Sequence, residues 1–140
     1  MPTFSTTTAV CRLDRVDSSA LIAIALNEPD AERCMLALHG PDRAAISAAT
    51  ITDTLIVAIG RDCELQMQAI FDGFGLLIEP VTAVRARHAA EAYRRYGKGW
   101  HAAALNFGDT FAYALAKEHD CPLLYIGADF ARTDVASALG

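Results

Sequence analysis

Four aspartates, Asp17, Asp53, Asp109 and Asp129, fall where the chain can bring carboxylates together. If three or four converge within about 4–5 Å, each pair repels by roughly 3–4 kcal/mol at an effective dielectric near 20. Such a cluster holds only with a cation, with raised carboxyl pKa values, or with both. A donor set made of oxygens, with neither histidine nor thiolate, suits Mg²⁺ or Mn²⁺ rather than zinc. The chemistry of such a cation beside a phosphate is phosphodiester hydrolysis, in which water is activated and the leaving oxygen stabilised. Three of the four acids also have a local role that needs no ligand. Asp17 can cap a helix, Asp109 can complete a capping box with Asn106, and Asp129 can serve a turn. Asp53 is different. Ala49, Thr50, Ile56 and Val57 leave it little polar surface, and no Lys or Arg lies within four positions, so it needs a partner from elsewhere in the fold.

The elements that must position these acids alternate in type. Residues 10–16 read as a first strand ending at Asp17, and Ser18 and Ser19 open a helix that closes near Asn27. A second helix starts at Pro29 and stops at Gly40. Residues 44–47 form a strand, and Ser47 caps an apolar third helix from Ala48 to Ile59, ended by Gly60. Asp62 caps a fourth helix through Phe71. Gly73 and Gly75 break it before the strand at residues 76–78. Thr82 caps a fifth helix that runs to Tyr96 and stops at Gly97-Lys98-Gly99. Asn106 caps a sixth, with Asp109 in its first turn, where the helix dipole favours a carboxylate. Residues 122–126 make the last strand, Gly127 to Phe130 a turn, and Thr133 begins a short final helix. Short apolar strands alternating with helices specify an α/β fold with a parallel sheet covered on both faces. Ligands of such sheets bind beyond the carboxyl ends of the strands. All four aspartates belong to that edge.

With 140 residues, 53% hydrophobic and 21% charged, the chain has the composition of one globular domain. Residues 1–8 read as a disordered lead-in and 9–140 as a single domain. No apolar run approaches the roughly 18–20 residues of a membrane span, and the N-terminus lacks the regions of a signal peptide. Cys11, Cys34, Cys63 and Cys121 are widely spaced in apolar surroundings, which points to buried reduced thiols in a cytoplasmic protein. A net charge of −5 weighs against a nucleic-acid partner. The distribution weighs the other way, because five of twelve basic residues (Arg85, Arg87, Arg94, Arg95, Lys98) fall between 85 and 98, beside His88 and His101. That segment is a candidate phosphate-binding face or a solvated helix face. Phosphate-loop, dinucleotide-turn and nucleophile-elbow motifs are absent from the sequence. A phosphorylated receiver would need a lysine near the end of a late strand, whereas Lys117 is in a helix and Lys98 in a loop.

Several ordered segments resemble PIN-domain ribonucleases of the VapC toxin type: Val16-Asp17-Ser18-Ser19-Ala20, Ile46-Ser47-Ala48-Ala49-Thr50, Tyr96-Gly97-Lys98-Gly99, Leu105-Asn106-Phe107-Gly108-Asp109, and Leu124-Tyr125-Ile126-Gly127-Ala128-Asp129-Phe130 with Thr133-Asp134. The likeness covers nearly the whole chain from about residue 10. It implies a PIN-like three-layer α/β/α sandwich and a Mg²⁺- or Mn²⁺-dependent endoribonuclease. It also implies a toxin restrained by a cognate VapB-type antitoxin and usually homodimeric. By motif position Asp17 matches the first metal-binding acid, Asp53 the second, Asp109 the third and Asp129 the fourth. Asp134 is a further acid of the set, and Ser19 is the supporting hydroxyl. With such an activity the basic segment would hold the RNA backbone, through Arg85, Arg94, Arg95, Lys98 and His101. Two departures stand out. The family's second acid is usually Glu, and Asp53 reaches roughly 1.5 Å less against a tolerance of about 0.5 Å at a preorganised site. That motivates an alternative, a catalytically weakened PIN-like domain that binds RNA or protein. The first strand is also interrupted by Arg12, Asp14 and Arg15, which predicts a frayed, edge-exposed or late start. Trp100 stands where a basic residue is common, placed to stack on a base or to meet a second subunit. The apolar surplus of the helices between 20 and 59 suits a dimer interface or an antitoxin groove.

Overall fold

A computed structural model describes residues 13–40 and 43–140. The lead-in at residues 1–8 and the expected strand residues 10–12 lie outside these. Among the described residues four parallel strands, β1 (Arg15–Val16), β2 (Ala45–Ser47), β3 (Leu77–Glu79) and β4 (Leu123–Leu124), pair in the order β3-β2-β1-β4. Helices α1 (Ser18–Ala25) and α2 (Ala31–Leu38) join β1 to β2. Helices α3 (Ala48–Gly60) and α4 (Glu64–Phe74) join β2 to β3, and α5 (Ala83–Tyr96) and α6 (Phe107–Glu118) join β3 to β4.

The strand period separates two cores. Val16, Ile46 and Leu124 pack with Leu21 and Ile22 of α1, Cys34 of α2 and Met67 and Ile70 of α4. Leu123, one residue from Leu124 and so on the other face, packs with Leu105, Ala112, Tyr113, Tyr96 and Phe130. The result is the expected α/β/α sandwich. Beyond β4 the chain returns beside it: Leu123 N donates to Ala136 O (2.8 Å) and Ala138 N to Leu123 O (2.9 Å). The opposite edge, β3, carries the exposed Ile78.

Side-chain caps fix where the helices begin. Asp17, Ser47, Thr82 and Asn106 each accept a hydrogen bond from a first-turn amide of α1, α3, α5 and α6. The first strand is central rather than at an edge, and among the described residues it starts late, as one expectation had it, at Arg15, which is buried and donates through Nη1 to Leu13 O at 2.6 Å. Other expectations are corrected. Helix α2 begins at Ala31 rather than Pro29. Cys63 rather than Asp62 caps α4, because Asp62 takes a left-handed turn with φ 55° and the Cys63 amide closes back on Ala58 O. Gly73 stays helical, and α4 ends at Gly75, where φ is 58°. No helix begins at Thr133. It ends a 3₁₀ turn over Phe130–Arg132, bonding its hydroxyl to Phe130 O, and the chain then extends along β4. Cys34 and Cys63 are buried free thiols. Cys121 is disulfide-bonded, so wide spacing in sequence did not keep every cysteine reduced.

Candidate metal centre and active site

Asp17 leaves the end of β1 with its amide bonded to Leu124 O (2.9 Å) and its side chain only 2% exposed. Oδ2 accepts from Ser19 N at 3.0 Å, while the buried Oδ1 has no hydrogen-bond partner. Burial pushes the carboxyl up from 3.8 to about 6; hydrogen bonds from Ser19 oppose this, and the negative Asp109 and Asp53 reinforce it. Ser19 Oγ accepts from Ile126 N at 2.9 Å, tying the mouth of α1 to the chain leaving β4.

Asp53 is half-buried on α3 and takes its missing partner from α1: Ser18 Oγ donates to Oδ2 at 3.0 Å. Asp109, also half-buried, closes the capping box. Its Oδ2 accepts from Asn106 N at 3.0 Å, and its own amide donates to Asn106 Oδ1 at 2.9 Å. Burial raises its carboxyl above the usual range, against the Asn106 bond and with help from Asp129 and Asp53. Asp129 is exposed at the start of the 3₁₀ turn. Asp17, Asp53 and Asp109 therefore act on one another electrostatically, and Asp129 acts on Asp109. Each of the first three has one oxygen tied to the protein. Among the described residues no three acidic, histidine or cysteine side chains already stand at metal-ligand spacing. The residues nonetheless fit a hard cation. The donor set is all oxygen, one buried carboxylate oxygen lacks a partner, and mutual repulsion is the electrostatic deficit a divalent ion removes.

Asp134 does not join them. It accepts a short hydrogen bond from the Tyr113 hydroxyl and faces Lys117 (3.6 Å) and Arg95 (3.7 Å). The basic segment is likewise divided. Arg85, expected against RNA, instead forks onto Glu118 (2.9 and 2.8 Å) and reaches Glu79 (3.1 Å), joining α5, α6 and β3. Arg85→Ala is expected to lower the unfolding free energy by about 1–3 kcal/mol in urea titrations through loss of charged hydrogen bonds, with RNA affinity within twofold of wild type. His101 accepts the Ala103 amide on Nδ1 and sets its ring against Tyr96. Arg94 pairs with Glu91 in the open, and Arg95 lies 5.1 Å over the Tyr96 ring. Trp100, 59% exposed, packs edge-on to Tyr93. Lys98 is exposed beside a groove of about 480 Å³ between α5 and α6, lined also by Tyr93, Asn106, Phe107, Thr110 and Phe111.

The PIN domain family matches residues 16–136 of the chain. Ribonuclease VapC30 of Mycobacterium tuberculosis is 39% identical over 130 residues, an alignment that spans 87% of this chain and 95% of the relative. This chain belongs to the VapC ribonuclease family of PIN-domain proteins. Ribonuclease VapC of Mycolicibacterium smegmatis, also a VapC-family member, is 41% identical over 129 residues, covering 87% of this chain and 97% of its own. The VapC fold is shared with M. tuberculosis VapC20, a Sarcin-Ricin loop cleaving toxin (TM-score 0.70, 17% identity, 87% of this chain and 95% of that one). It is shared too with a toxin-antitoxin complex from Klebsiella pneumoniae (TM-score 0.66, 20% identity, 89% and 97%).

Two site contacts escaped sequence reading. Ser18 reaches Asp53 across 35 positions. Gly108 packs its backbone against the Asp53 carboxylate, where a Cβ would lie 2.6 Å from Oδ2. Only the second left a trace, a glycine inside the first turn of a well-capped helix, where alanine is preferred.

Proposed function

We propose that this VapC-family chain is an endoribonuclease that hydrolyses RNA phosphodiester bonds, the toxin of a two-component pair acting in the cytoplasm. The observation that carries the reading is the buried Asp17 with its unpartnered Oδ1, set beside Asp53 and Asp109 at the carboxyl edge of the sheet. Asp17, Asp53, Asp109 and Asp129 would hold Mg²⁺ or Mn²⁺, which when bound supplies charge neutralisation at the scissile phosphate and acidifies water. Ser19 anchors the mouth of α1 to the loop after β4, keeping Asp17 in place. Arg94, Arg95 and Lys98 offer positive charge to the RNA backbone, with His101 bracing the turn that carries Lys98.

A VapB-type antitoxin is the proposed restraining partner, and a homodimer the proposed assembly. Supporting the latter, Leu55, Ile56 and Ile59 form an exposed apolar stripe along α3. Among the described residues no helix is long and apolar enough to cross a membrane. Induced expression of the wild type is expected to arrest growth and to generate new RNA 5′ ends at a defined sequence, whereas Asp17→Asn does neither. Unchanged RNA ends in both strains would sink the assignment. The short reach of Asp53 favours a second reading, a domain that binds RNA without cutting it. RNA retention with no cation-dependent cleavage by the purified wild type would select that reading.

A further inference from the structure

We infer that Gly108 and Ser18 are positioning residues that deliver the short Asp53 side chain to the acid cluster, an inference that rests on the proposed cation site. Asp53 sits on α3 among apolar neighbours, and nothing on its own helix fixes its carboxylate. Two other elements do. From α1, the Ser18 hydroxyl donates to Oδ2 at 3.0 Å. From α6, the Gly108 backbone lies so close that a Cβ there would stand 2.6 Å from Oδ2, 2.8 Å from Cγ and 3.1 Å from Oδ1. Real Cβ atoms essentially never approach so near, and here the obstructing atoms are the carboxylate itself rather than the far end of a long, flexible chain.

Glycine is the poorest helix former after proline, and position 108 lies in the first turn of α6. What its missing side chain supplies is proximity. The backbone segment that presents Asp109 comes down directly on Asp53, so the two carboxylates are set by one contact. Ser18 lies between Asp17 and Ser19, so the hydroxyl that orients Asp53 moves with the first acid. A longer side chain could find the cluster by choosing among rotamers. An aspartate has less freedom, and its carboxylate goes where the backbones on either side send it. Second contacts of this kind orient metal ligands, and their loss typically weakens binding 10–100-fold.

The test is a double-mutant cycle with Gly108→Ala and Asp53→Ala in the purified full chain, read in two ways. Calorimetric titration with Mn²⁺ is expected to show Gly108→Ala weakening affinity about 10–100-fold in the wild-type background and less than twofold beside Asp53→Ala. Without metal, in EDTA, Gly108→Ala is expected to lower the melting temperature of the wild type but not that of Asp53→Ala, where the clash has been removed. Ser18→Ala is expected to weaken Mn²⁺ binding, and Ser18→Thr, which keeps the hydroxyl, to restore it. Equal effects of Gly108→Ala in both backgrounds would overturn the inference by showing that the glycine serves Asp109 or the helix alone. If the wild type takes up no Mn²⁺, the cation reading fails and takes the delivery role with it. The EDTA melting cycle still decides independently whether Gly108 and Asp53 are coupled.

Discussion

Asp109→Asn is expected to reduce cation-dependent RNA cleavage by on the order of a thousandfold while the protein stays folded. The loss follows from removing one charged ligand, since a divalent ion supplies several kcal/mol of charge stabilisation and each 1.4 kcal/mol is tenfold in rate. The preserved fold follows from the capping box. The carboxylate accepts one hydrogen bond, from Asn106 N, and an asparagine carbonyl accepts it equally well. The helix end loses a favourable charge worth about 0.3–1 kcal/mol. It also loses repulsion from Asp129 and Asp53, which adds to burial in lifting the Asp109 carboxyl in the wild type. The melting temperature in EDTA should therefore stay within about 4 °C of wild type. Cleavage at more than a tenth of the wild-type rate would remove Asp109 from the site.

The stability of the metal-free protein should fall as pH rises, and Asp17 should be the main reason. Burial pushes its carboxyl up to about 6 in the folded chain, from the 3.8 of a solvated aspartate. Between those values the folded chain holds a proton that the unfolded chain has released, so unfolding is progressively favoured as pH rises through the window. The two values differ by about 2 pH units, worth about 3 kcal/mol for a group this buried. Asp109, raised in the same direction, adds to the slope. Urea titrations in EDTA at pH 4 and pH 7.5 should show this loss in the wild type and a much smaller one in Asp17→Asn. Comparing slopes avoids the separate cost of burying an amide. Mn²⁺ at a hundred times its Kd should return about 2.7 kcal/mol at pH 7.5. A wild-type slope matching that of Asp17→Asn would show that Asp17 is not strained by charge.

The local settings of Asp17 and Asp109 were legible because helix starts advertise themselves. Thr82 and Asn106 each mark a cap, and Asp109 was readable both as a capping acid and as a ligand. The structure places it in the box, with Oδ2 accepting from Asn106 N. What could not be read was pairing over distance. Arg85 looks like any other cation of a basic helix until Glu118 and Glu79, which lie 33 and 6 residues away, fold against it. Asp53 plainly needed a partner, yet any hydroxyl or cation in the chain was a candidate until α1 and α3 packed together. The final helix expected from Thr133 failed for a related reason. The segment after it is claimed by β4, whose backbone offers hydrogen bonds that a short helix at the chain end cannot match.

That last pairing has a consequence for how the protein behaves when cut. A bare strand edge is a template for any extended chain that meets it. Residues 136–138 occupy the outer side of β4, so among the described residues β3 is the edge left open. Removing residues 136–140 would uncover a second edge on the opposite side of the sheet. A sheet with two open edges can propagate from copy to copy, where a sheet with one can at most pair. Nicking at Val135 should therefore convert a dispersed protein into a self-associating one, with α1 through α6 still folded.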